Sequence, residues 1–313
     1  MNMQTWLKRF SFASMYGMFL IIIMGALVTK TDSGRGCGDE WPLCNGKFVP
    51  AYTIESVIEY SHRFVVGVVG IILLITMVLV FMFSRRNDAK WFVSGAMFFT
   101  VLQAILGALA VVWPQSSAVL ALHFGFSLMA FAFTLLLALV YTRLGSTLSG
   151  KPAVLSVRVR WSVALTLIYS YAVVYLGAFV RHTESSGGCI GWPLCNGQLI
   201  PDMVGPTRIV FAHRIGAVLL LLFVLWLFMA IRAQQGPHEN AYQAAKWAFI
   251  LVVLQILSGA FVTLSIGYDW YLLASLLHAV LISGLFGILC YLCVLALQAK
   301  GGDRQAYGAR QLK

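Results

Sequence analysis

Four histidines stand out by context. His62 lies in "SHRFVVGVV", His213 in "AHRIGAVLL", His123 in "ALHFGFSL" and His278 in "LLHAVLIS". All four fall within long apolar runs, where an ionisable side chain is costly and marks function. Two neutral imidazoles facing each other across a helix bundle suit axial ligation of a haem iron. Zinc or copper is the rival, but two ligands are too few for a closed site. Arg63 and Arg214 directly follow the first histidine of each pair. Each guanidinium could pair with a haem propionate in bidentate fashion or snorkel to lipid head groups. Lys30 and Arg181 are weaker propionate candidates. Glu59 precedes His62 by three residues, on the same helical face, and the matching residue in the other copy is Val210. An acid beside one iron and an aliphatic beside the other imply different roles, unless Glu59 only pairs with a nearby Arg.

The elements that must hold these side chains are membrane spans. The 313-residue chain is 60% hydrophobic and 11% charged. Runs of 18 or more apolar residues read as transmembrane helices. Eight occur, near 10–30, 58–84, 91–112, 117–142, 158–180, 207–232, 244–266 and 270–298. The first is too long for a signal peptide and has no cleavage site after it. With the N-terminus in the cytoplasm, fifteen of the 22 Lys and Arg residues but only three of the 11 acids lie inside, as the positive-inside rule requires. The net charge of +11 is then membrane topology and no nucleic-acid footprint. Each histidine lies five to nine residues into a helix that starts at the outer face, about 7–13 Å deep at ~1.5 Å per residue.

The chain repeats itself. "GALVTKTDSGRGCG" faces "GAFVRHTESSGGCI", and "LQAILGALAVV" faces "LQILSGAFVTL". Gly25 thus matches Gly177, Gln103 matches Gln255, and Gly107 matches Gly259. Four helices per copy is an even number, so both copies enter the membrane in the same sense. The expected fold is all-α: two tandem four-helix bundles, residues 1–150 and 151–313, related by a pseudo-two-fold axis along the membrane normal.

Four of the six cysteines sit on the outer side, where disulfides persist. Cys37 with Cys44 and Cys189 with Cys195 flank Trp-Pro-Leu turns and read as two disulfides, each stabilising its loop by roughly 2–3 kcal/mol. Their spacing does not fit the usual zinc-ligand gap. Cys290 and Cys293 read as small buried hydrophobes, and His182 and His238 as solvated side chains.

These motifs, in this order over all eight helices, resemble the haem A synthase family in its bacterial form. The resemblance implies oxidation of the C8 methyl of haem O to the formyl of haem A, by successive hydroxylations, for terminal oxidase assembly. It implies haem b on His213 and His278, substrate haem O on His62 and His123, and a part in activity for Glu59 and the Cys37–Cys44 pair. It further implies a bacterial plasma-membrane protein with both termini cytoplasmic and cysteine loops outside. Expected partners are haem O, a haem O synthase that supplies it, an electron donor, lipid and a second copy of the chain. Two other classes remain open on the residues alone: a quinone-linked membrane thiol oxidoreductase, suggested by the outer cysteines, and a haem-binding transport protein, suggested by the repeat.

Overall fold

A computed structural model describes residues 2–48, 53–113, 116–148, 153–234 and 239–301. Eight long helices carry the chain: α1 (Met3–Lys30), α2 (Ile54–Phe83), α3 (Asn87–Val112), α4 (Ser117–Val140), α5 (Val157–His182), α6 (Gly205–Arg232), α7 (Glu239–Leu264) and α8 (Tyr271–Gln298). Each is long and apolar enough to cross a bilayer, with mean hydropathy of 2.0 to 3.1 over its most apolar window. This is a multi-pass membrane protein. The runs read from sequence find all eight, and the largest difference is at α1, which starts seven residues before the apolar run. Its polar first turns are helical because the Asn2 side chain accepts from the Gln4 N–H at 3.2 Å, an N-cap that satisfies one orphan donor. Thr53, Ser116 and Ser156 cap α2, α4 and α5 in the same way, and Pro206 occupies the first turn of α6.

Helices α1 to α4 pack in a ring, each on the next and α4 back on α1, and α5 to α8 do the same. The two rings meet where α4 touches α5 and α8, and α1 touches α8. That pattern is consistent with a two-fold relation, which exchanges the α4–α5 contact with the α8–α1 contact. The seam explains the burial: 50% of the α4 window and 61% of the α8 window are buried, against 28% or less in the other helices. Small residues allow the close approach. A Cβ at Gly125 on α4 would meet Tyr171 Oη of α5 at 2.6 Å, and one at Gly287 on α8 would meet Leu135 of α4 at 2.6 Å. Away from the seam, exposed Phe64, Ile71, Trp91 and Trp161 form the surface that lipid covers.

The helix ends away from the cysteine loops are tied by backbone. A six-residue helical turn, Arg143–Leu148, follows α4, and Val154–Leu155 pairs in parallel with Lys300–Gly301. The expected boundary at 150/151 and His238 both lie outside the described residues.

The cysteine loops are two copies of one design. Cys37 is disulfide-bonded to Cys44, and Cys189 to Cys195. In the first loop Cys44 and Lys47 exchange backbone hydrogen bonds of 2.9 and 3.1 Å around Asn45-Gly46. In the second, Cys195 and Gln198 exchange two of 3.0 Å around Asn196-Gly197. All four central residues have φ between +51° and +77°. An Asn-Gly pair is the preferred occupant of such a type I′ turn, because both positions need the left-handed region. The repeated "CNG" of the sequence is therefore turn chemistry. Alkylation of the unreduced protein should leave all four of these thiols unlabelled and label them after reduction. Peptide mass spectrometry checks this, and labelling of all four without reductant would contradict it.

Candidate haem sites

Each of the four histidines rests against a glycine of the neighbouring helix. A Cβ built at Gly25 on α1 would lie 3.4 Å from His62 Cε1 of α2. The same construction gives 3.1 Å from Gly107 on α3 to His123 of α4, 2.7 Å from Gly177 on α5 to His213 of α6, and 3.3 Å from Gly259 on α7 to His278 of α8. The missing side chain is what lets each ring edge lie on its neighbour's backbone, so the repeat supplies the cradle along with the histidine. All four histidines sit six to eight residues into their helices, about 9–12 Å from the start at ~1.5 Å per residue. His62 on α2 and His123 on α4 belong to the first ring of helices, and His213 on α6 and His278 on α8 to the second. The imidazoles are thus paired by bundle.

The polar accounting fits a ligand set. Nδ1 of His62, His123 and His213 is buried with no side-chain hydrogen-bond partner among the described residues. The backbone carbonyls of Gln103 and Val173 are the acceptors near His123 and His213, the arrangement in which Nδ1 carries the proton and Nε2 is the nitrogen that would take an iron. Among the described residues no cluster of three or more His, Cys, Asp or Glu could hold a bare metal ion. Two imidazoles per bundle are too few for zinc and sufficient for the axial positions of a haem. Gly177→Ala tests the cradle. With its Cβ at 2.7 Å, well inside van der Waals contact, it should displace the His213 ring and cut haem occupancy of the second bundle severalfold. Gly259→Ala, whose Cβ would lie 3.3 Å from His278 of the same bundle, should cost much less. Haem-to-protein ratios of the two purified variants check this.

The arginines grip the disulfide loops. Arg63 donates to the backbone carbonyls of Glu40 (2.9 Å) and Leu43 (2.8 Å) and pairs with the Glu59 carboxylate. Arg214 donates to the carbonyls of Leu194 (3.2 Å), Cys189 (3.1 Å) and Gly191 (3.0 Å) and to Thr263 Oγ1 (3.3 Å). Both therefore fasten the disulfide loop to the histidine helix one residue from the ligand. Glu59 is buried, and its second oxygen accepts the Cys37 N–H at 2.8 Å. In the second copy Val210 packs instead on Cys189 and Cys195. The second loop is fastened with no acid at all, so Glu59 is surplus to that task.

Lys30 and Arg181 lie on the seam between the bundles. Lys30 donates to Tyr271 Oη at 3.3 Å, and Arg181 bonds the Thr29 carbonyl and the Asp32 carboxylate, the latter at 2.6 Å. His182, expected to be solvated, is half-buried there, and its backbone carbonyl accepts from Ser117 Oγ of α4 at 2.7 Å. Cys290 is buried, Cys293 is partly so, and both thiols are free.

Residues 8–290 match the family model described as "Cytochrome oxidase assembly protein". The chain belongs to this family. It is also similar to proteins named heme A synthase. That of Symbiobacterium thermophilum is 43% identical over 304 residues, covering 93% of this chain and 95% of the relative. That of Geobacillus kaustophilus is 40% identical over 302 residues, covering 95% and 94%. That of Lysinibacillus sphaericus is 36% identical over 310 residues, covering 97% and 99%.

In this member of the cytochrome oxidase assembly family, sequence reasoning missed the polar partners of the histidines. On α7, Ser258 Oγ lies 2.8 Å from His278 Nδ1, and Gln255 Nε2 lies 3.1 and 3.0 Å from Nδ1 and Nε2. On α3, the matching Gln103 is bonded by Ser127, and its amide points to Met18 Sδ at 3.6 Å. The signal was in the repeat register, which puts Ser258 opposite Leu106 and Ile282 opposite Ser127.

Proposed function

We propose that this protein is a membrane oxidoreductase that oxidises the C8 methyl of haem O to the formyl of haem A for oxidase assembly. The observation that carries the reading is one of asymmetry within symmetry. Two histidine pairs sit in matching glycine cradles, and only the first pair is bordered by a buried carboxylate. The full-length similarity to proteins named heme A synthase supplies the substrate. In this reading residues 1–150 take haem O between His62 and His123, and residues 151–313 hold a resident haem b between His213 and His278.

The resident haem supplies the electron-transfer chemistry when bound, and the chain supplies the rest. The histidines orient the macrocycles and the glycines fix the rings. The two loops, fastened by Arg63 and Arg214, close the outer ends of the bundles against water. Glu59 stands one helical turn from His62, with Arg63 on one oxygen and the Cys37 N–H on the other. A carboxylate has about four acceptor sites, so two remain to receive a proton released as the methyl is oxidised. Arg63 and Arg214 keep propionates as candidate partners through the N–H groups that the loop carbonyls do not use. Both termini lie in the cytoplasm and the disulfide loops outside, the arrangement that the basic residues favour and that disulfides need. A haem O synthase delivers the substrate.

A thiol oxidoreductase would leave four cradled histidines without a task, and a haem-binding transport protein would leave the buried Glu59 without one. The test is expression in cells that make haem O but no haem A, followed by separation of the extracted pigments. Haem A should appear. Unchanged haem O, with the protein present in the membrane, would overturn the proposal.

A further inference from the structure

The hydroxyl of Ser258 sets one of the four histidines apart. Ser258 is buried, and its proton goes to the backbone carbonyl of Gln255 at 2.8 Å. Toward His278 Nδ1, at 2.8 Å, Ser258 accepts when Nδ1 carries the proton, the tautomer that leaves the Nε2 lone pair for an iron. The Gln255 amide, 3.1 Å from Nδ1, bonds that nitrogen only in the other tautomer. The amide of Gln255, 3.0 Å from Nε2, competes for that lone pair. Ser258 does not, and its bond survives when Nε2 takes an iron.

The matching position in the first bundle has no such group. Leu106 stands where Ser258 would be, and His123 Nδ1 has no side-chain hydrogen-bond partner among the described residues, only the Gln103 backbone near it. Gln103 is drawn off by Ser127, whose repeat-mate is Ile282. Two exchanges between the copies therefore turn polar groups onto His278 and away from His123.

We propose that Ser258 is a positioning residue that makes His278 the most firmly oriented and most basic of the four ligands, so that the second bundle keeps its haem while the first exchanges its own. The inference rests on the assignment of haem to both bundles. A ligating histidine that donates its other N–H is fixed in orientation and gains basicity, and loss of the partner typically costs 10- to 100-fold in affinity. A more basic imidazole favours ferric over ferrous iron, which lowers the midpoint potential.

The test uses the purified full-length protein with its resident haem, as wild type, Ser258→Ala and Ser258→Thr. Two quantities are read: the rate of haem loss to excess apomyoglobin and the one-electron midpoint potential. Ser258→Ala should lose haem about tenfold faster and shift to a more positive potential, by ~59 mV if the tenfold loss falls on the ferric form alone. Ser258→Thr should restore both, since a threonine hydroxyl makes the same bond back to the preceding turn. An Ala variant equal to wild type in both readouts would overturn the proposal. So would equal changes in Ala and Thr, which would assign the effect to packing. A wild-type protein without low-spin haem would overturn the haem assignment itself, a separate failure.

Discussion

Glu59→Gln should yield a protein that inserts normally, keeps the haem spectrum of the second bundle and makes little or no haem A. Glutamine keeps the size of the side chain and an oxygen able to accept the Cys37 N–H. It loses the charge facing Arg63 and the capacity to take up a proton. Removal of a positioned base costs typically 100- to 10,000-fold in rate, so the expected fall in haem A is at least about 100-fold. The structure also shows why the fold should survive. Arg63 retains the Glu40 and Leu43 carbonyls, and the second loop is fastened by Arg214 beside an apolar Val210. Pigment chromatography and the haem spectrum of one preparation decide the matter. Haem A at wild-type level would remove Glu59 from the chemistry. Collapse of protein yield together with both haem signals would make it a loop anchor only.

His213→Ala and His278→Ala should each abolish the low-spin haem spectrum of the purified protein. In the proposed assignment each variant removes one of the two axial ligands of the second bundle's haem. His62→Ala and His123→Ala should keep that spectrum and lose conversion, because their rings belong to the other pair. Absorption spectra of the four reduced proteins, recorded at equal concentration, separate the bundles. A normal bis-histidine signal in both His213→Ala and His278→Ala would mean that the second pair is no ligand set.

The architecture was readable because bilayer thickness imposes a length and a composition on every span, and a duplicated sequence carries its own alignment. Eight apolar runs became eight helices, and the matched histidines came out at matched depth. The glycines were aligned in the sequence, but that Gly25, Gly107, Gly177 and Gly259 each receive an imidazole depends on helix rotation, which periodicity in an all-apolar run does not reveal. Helices apolar on every side give no stripe to say which face is inward. The arginine roles were obscured for another reason. Their partners are backbone carbonyls of loops about 20 residues upstream, and a carbonyl has no signature in the sequence. The contrast of Ser258 with Leu106 was visible as letters, but its meaning needed a hydroxyl 2.8 Å from a ring nitrogen.

The central claim is a division of labour between two similar bundles. It is tested most directly by following both haems through turnover. Membranes containing the protein are supplied with haem O in air, and pigments are extracted at intervals and separated. Haem O should decline as haem A rises, while the haem b of the second bundle stays constant. Loss of haem b in step with the appearance of haem A, or unchanged haem O beside a fully occupied second bundle, would contradict the account.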